Sequence, residues 1–164
     1  MFNYLSLLLV ILCLCVGCDK PNKSSEQTKN VEPKPQMKEK KVELTTISQG
    51  ANSGHNEKKD YTITNEDDWK KLWAQVHANV EPKPELPKVD FGKEIVIAAF
   101  KGQHSSGGHS ITITEAMIKS DGCTVQIKEV SPDPGGMMSM GFSQPYHIVK
   151  TPKIEQKVTF KHMP

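Results

Sequence analysis

Glu94-Ile95-Val96-Ile97-Ala98-Ala99-Phe100 constrains this chain most, because every position from Ile95 onward is apolar. A half-exposed strand alternates apolar and polar residues, whereas an unbroken run of this length reads as a strand at the centre of its sheet. The segments around it do alternate. Val42–Ser48 leads to a turn at Gln49-Gly50, Asp60–Thr64 is short, and Ser110–Thr114 is regular. Asp121-Gly122 is a hairpin-type turn leading into Cys123–Val130, and Tyr146–Val149 and Lys157–Phe160 complete the set. Gly50–Lys59 is polar and glycine-containing, hence a loop. One helix interrupts the series. Asn65 supplies a capping acceptor, and Glu66, Asp67 and Asp68 complement the dipole of the first turn. Trp69, Leu72, Trp73 and Val76 then fall on one apolar stripe, a core-packing pattern. Glu81–Pro87, with three prolines, is an extended connector that stops the helix. The expected fold is α+β: a predominantly antiparallel β domain with one amphipathic helix, over residues 41–164.

The first forty residues have a different character. Leu5 to Gly17 is apolar and uncharged, too short for a bilayer core that takes about 20 residues, and suited to the hydrophobic region of a secretory signal. Cys18 follows Gly17 at its end, whereas Cys13 and Cys15 each follow leucine. A cysteine after a small residue there resembles a bacterial lipobox, which implies cleavage after residue 17 and acylation of Cys18. Cys15 where a lipobox usually has leucine, and no Lys or Arg before Leu5, depart from that pattern. Residues 18–40 are dominated by Lys, Glu, Pro, Ser and Gln without an aromatic, a composition that cannot offset ordering entropy by burial. They read as the lipidated N-terminus and a disordered linker. The folded domain is thus expected outside the cytoplasm, lipid-anchored to the cell membrane and facing the periplasm or exterior. Cys123 is then the lone thiol of the mature domain, excluding an internal disulfide.

Several pieces in order carry a resemblance. These are Trp69-Lys-Lys-Leu-Trp73, Leu86-Pro87-Lys-Val-Asp90-Phe91, Val96-Ile-Ala-Ala-Phe-Lys-Gly102, Gly107-Gly108-His109-Ser110-Ile111 and Pro145-Tyr146-His-Ile-Val149. From about Thr62 to Phe160 the chain resembles the PrcB-type C-terminal domain, a family named for an accessory subunit of a surface protease complex. His109 departs from it, an aromatic being commoner there, as does the methionine-rich 137–140 stretch. The resemblance implies a binding or stabilising role, with another extracytoplasmic protein, a protease among the candidates, as partner.

The remaining chemistry is sparse. Neither a His-Glu-x-x-His motif nor a phosphate-cradling loop occurs, and Gly136–Gly141 has one residue too many for a nucleophile elbow. No catalytic residue and no cofactor is therefore assigned. A net charge of +2 without a basic patch gives no reason to expect a nucleic-acid partner. Metal binding is an open alternative: His104 and His109 flank Ser105–Gly108, His147 could approach them, and Met137, Met138 and Met140 offer soft thioethers. The expected partner surface is formed by two Gly/Pro-rich loops, with Gly107, Gly108 and His109 from one and Phe142, Pro145 and Tyr146 from the other. A protease inhibitor using the same loops is the other open reading. Changing Cys18→Ser is expected to shift the protein from the membrane to the soluble fraction; an unmodified Cys18 by intact mass in the native protein would refute the lipidation.

Overall fold

The structure, a computed structural model, describes residues 39–133, 135–136 and 139–164. The apolar N-terminal run, Cys18, the lysine-rich stretch as far as Lys38, Met137 and Met138 lie outside the described residues. No helix among the described residues is long and apolar enough to cross a membrane. The chain order is β1 (Lys40–Val42), β2 (Thr45–Gly50), β3 (Lys59–Ile63), α1 (Glu66–Val76), β4 (Glu94–Phe100), β5 (His104–Ser106) and β6 (Ser110–Lys119). It continues with β7 (Gly122–Val130), β8 (Met140–Ser143), β9 (Tyr146–Pro152) and β10 (Val158–Met163).

Two four-stranded sheets, ordered β1-β6-β7-β10 and β2-β9-β4-β3, are stacked, and β5 pairs with β8 in a separate two-stranded flap. The pairing is antiparallel except between β7 and β10, which run parallel. The apolar run of β4 is interior to its sheet, between β9 and β3, and explains the layering. Its odd-numbered side chains, Ile95, Ile97 and Ala99, join Val149 in one core with Ile111, Ile113, Ala116, Cys123, Val125 and Ile127 of the other sheet. Its even-numbered side chains, Val96, Ala98 and Phe100, join Tyr146 and Ile148 in a second core with Trp69, Leu72, Trp73 and Val76 of α1. The β2-β9-β4-β3 sheet is therefore the middle layer, buried on both faces.

The helix begins as its sequence dictates, the Asn65 side chain accepting from the Asp68 amide at 2.9 Å. Its tryptophans do more than fill the core. Trp73 Nε1–H donates to the Pro84 carbonyl at 3.2 Å and Trp69 Nε1–H to the Pro87 carbonyl at 2.9 Å, holding the proline connector against α1. Each buried indole thus finds the partner it needs.

The expected strand at Val42–Ser48 is two strands in different sheets. Val42 pairs with Ala116 of β6, while Thr45 pairs with Lys150 of β9, so the chain changes sheet across Glu43-Leu44. Alternation reports which side of a strand is wet, not which sheet it joins, and was blind to the change. Pairing also begins at Lys40, opposite Ile118, one residue ahead of the expected domain boundary, and Glu39 reaches Lys119 at 2.7 Å.

A buried histidine is among the polar side chains that span the two sheets. His147 points from β9 into the inter-sheet space, where its Nδ1 accepts from the Ile113 amide at 2.9 Å. Its Nε2 lies 3.0 Å from Thr46 Oγ1, so the proton of the neutral ring faces the threonine. Burial lowers the His147 pKa and maintains that neutral form. Trp73→Ala is expected to cost about 3–5 kcal/mol in chemical denaturation, through a cavity and a released connector; an unchanged midpoint would contradict this packing.

Candidate partner-binding site

The β5–β8 flap rises from the ends of β4 and β9. His104 pairs with Ser143 and Ser106 with Met140, and the Gly107 amide donates to the Ser139 carbonyl at 3.1 Å. Met140 and Phe142 lie two apart on β8, where its register with β5 shifts, and both line the same groove. Both are exposed, Met140 fully and Phe142 at 72%. Gly141 between them adopts φ +151°, and a Cβ there would meet nothing within 4 Å. With Ser105, Ser106 and Ser139 these residues line an open groove of ≈ 420 Å³ that contains no charged side chain.

The flap is firmly backed. Ser143 Oγ donates to the Ser106 carbonyl at 2.7 Å. Gln144 Nε2 donates to Asn56 Oδ1 at 2.7 Å and to Gln103 Oε1 at 3.0 Å, while its Oε1 accepts from the Gly54 amide at 3.0 Å. At the root lies Lys101, only 6% exposed. Its ammonium donates to the Val130 carbonyl, to Ser131 Oγ at 2.9 Å and to His109 Nδ1 at 3.3 Å. Burial lowers the Lys101 pKa, opposed by the field of Glu129. The Glu129 carboxylate is itself engaged by Lys58 at 2.5 Å and by His162, whose Nε2 also lies 2.8 Å from Asp60.

The structure reassigns several expected contact residues. Phe142 is where the sequence placed it, on the surface. Pro145 is fully buried, its carbonyl accepting from the Lys101 amide at 2.9 Å. Tyr146 is 7% exposed, lies in the core beside α1 and bonds Ser48 Oγ through its hydroxyl at 2.9 Å. Both are corrected from surface to interior: Tyr146 begins β9, whose alternation turns it toward the helix, and Pro145 immediately precedes it. The glycines serve their own chain. A Cβ on Gly107 would sit 2.1 Å from Ser139 Oγ, and Gly108 combines φ +82° with a Cβ position 3.2 Å from Pro132. His109 is half-buried, its ring stacked on His104 at 3.9 Å between centroids with planes 13° apart.

Such a stack sets the two imidazoles side by side instead of converging them on one ion. Both His147 nitrogens are already engaged, and Met140 projects to solvent. No group of three or more His, Cys, Asp or Glu side chains is arranged to hold a metal among the described residues. Cys123 is fully buried, and burial raises its thiol pKa, which disfavours the reactive thiolate.

Sequence reasoning missed β5, β8 and Lys101. His104-Ser105-Ser106 has no apolar residue, and Gly141 interrupts the alternation of Met140 and Phe142. A lysine directly after the most apolar strand, Phe100-Lys101, was the one available signal.

Residues 95–152, from β4 to β9, match the family model described as PrcB C-terminal. Over this span the chain is similar to the PrcB C-terminal family. The family is named for an accessory subunit of a protease complex, and that general association comes with the match. The matched span is shorter than the resemblance read from sequence: Trp69–Trp73 and Leu86–Phe91 lie outside it. Within the PrcB C-terminal match fall both interior strands of the middle sheet, the β6–β7 hairpin, Lys101 and the whole flap. No curated protein and no solved structure matches the chain.

Replacing Lys101 by Met would leave the Val130 carbonyl, Ser131 and His109 without their shared donor. Lys101→Met is expected to cost about 1–3 kcal/mol by urea denaturation. A neutral result would show that the ammonium is not an organising group of the flap.

Proposed function

We propose that this protein is a membrane-anchored, extracytoplasmic lipoprotein that binds and stabilises a partner protein, a protease being the first candidate. The observation that carries the reading is the exposed Met140–Phe142 pair on a flap fastened from behind by the Lys101, Ser143 and Gln144 hydrogen bonds. Isolated apolar residues on a surface need no explanation, but an aromatic and a methionine flanking an uncharged groove have the character of a binding anchor. Methionine adapts to the partner's shape, while the phenylalanine ring loses little rotamer freedom on contact. The PrcB C-terminal match supports the choice of a protease-associated partner. The lipid anchor rests on Leu5–Cys18 in the sequence alone.

The contact set is revised accordingly to Phe142 and Met140, with Ser105, Ser106 and Ser139 lining the groove. Gly107, Gly108 and His109 shape it from behind, and Pro145 and Tyr146 fix its base.

Affinity capture of the full chain from native membranes, followed by mass spectrometry, tests the proposal. Phe142→Asp is expected to leave folding intact and weaken partner capture at least ~10-fold, as loss of an anchor residue does. Capture at full yield by Phe142→Asp would refute the flap as the contact. Adding the purified domain to the captured protease separates the outcomes: a longer active lifetime supports stabilisation, and loss of activity supports the inhibitor.

A further inference from the structure

The flap stands on a pair of imidazoles that must both be neutral to pack as they do. His104 belongs to β5 itself, and His109 follows the glycine pair. An ammonium has no lone pair, so the 3.3 Å contact from Lys101 Nζ requires His109 Nδ1 to accept. The His109 proton then sits on Nε2, which faces Ser106 Oγ at 3.4 Å. His104 Nε2 is buried without a hydrogen-bond partner. A second proton on either ring therefore has no acceptor waiting for it.

The surrounding charges make protonation worse. Lys101 faces the pair from the end of β4. Glu129 of β7 is the acidic group in its field, but Lys58 and His162 of β10 already occupy that carboxylate, and Asp60 of β3 is turned to His162. Among the described residues no carboxylate makes an ion pair with His104 or His109. Burial lowers the pKa of His104, with the charge of Lys101 adding to it. Burial likewise lowers that of His109, followed by the fields of His104 and Lys101.

We infer that protonation of the stacked His104–His109 pair opens the β5–β8 flap, so that the surface bearing Met140 and Phe142 is assembled at neutral pH and dismantled in acid. A proton on His109 Nδ1 displaces Lys101 Nζ, and a charge on either ring is repelled by the lysine. The flap is held through the same residues: Ser106 carries the Ser143 bond, and Gly107 carries the Ser139 bond. A histidine whose folded pKa is depressed contributes stability that is complete above its unfolded value, about 6.5, and is lost as pH falls toward the folded one. The functional importance of the switch rests on reading the flap as the partner surface. The opening itself does not, so its test contains no partner.

His55 and His147 are also lowered by burial and weaken the whole domain in acid, so the test must separate local from global opening. Amide exchange on the purified full chain, expressed as protection factors from about pH 7.5 to about 5.5, does this. Gly107 is expected to lose at least ~10-fold protection while the β4 amides keep theirs. His109→Gln, which retains an acceptor for Lys101 and a donor for Ser106, is expected to reduce the loss, His104 remaining to titrate. A Gly107 amide that is insensitive to pH, that falls only in step with β4, or that responds unchanged in His109→Gln overturns the inference. Should that variant fail to fold, an NMR titration of the native imidazoles decides instead. His104 and His109 must titrate below about 6.5, with the Gly107 and Phe142 shifts following them; ordinary or higher values overturn the switch.

Discussion

Everything in this domain depends on the middle sheet being dry on both faces. Once β4 and β9 are covered by a sheet on one side and a helix on the other, a polar side chain on either costs free energy unless it finds a partner. On β4 the solution is an unbroken apolar run. On β9 the inward positions include His147 and Thr151, both buried. His147 resolves this by taking the Ile113 amide and facing Thr46, and so ties the two sheets together. Thr151 Oγ1 has no such partner among the described residues.

The same sheet positions the surface proposed to act. Lys101 follows β4 directly and Pro145 immediately precedes β9, and the backbone bond between them ends the sheet. Beyond that bond no described residue of the flap belongs to either apolar core. The flap is held by hydroxyls, carboxamides and one buried ammonium instead. An element secured by polar contacts at the rim of a dry core is the part of a fold whose stability the solvent can most readily adjust.

How much of this the sequence disclosed follows from what side-chain patterns can encode. β4, α1 with its Asn65 cap and β7 were legible because burial and capping leave marks at fixed spacing. Phe142 was legible as a surface residue because it stands among glycines and polar residues. The split of β1 from β2 was not, since nothing in Val42–Ser48 states which neighbour each half meets. Nor was the parallel placement of β10, for strand direction is set by the path of the chain and not by its alternation. Tyr146 and Pro145 were misplaced for a related reason: a loop-like Gly/Pro context ended one residue earlier than composition suggested. The stacked histidines escaped because four residues separate them in sequence and only the flap's turn brings the rings together.

The two ways in which the sandwich is closed are unequal. At one corner the sheets are joined covalently, since β1 and β2 are edge strands of different sheets with only Glu43-Leu44 between them. At the opposite corner the edge strands β10 and β3 meet through His162 and Asp60, with Glu129 beside them. Mechanically this is a hinge and a latch. A motion that parts the layers at this corner must release the His162–Asp60 contact together with the Lys58–Glu129 ion pair, while the two residues of backbone at the other corner hold.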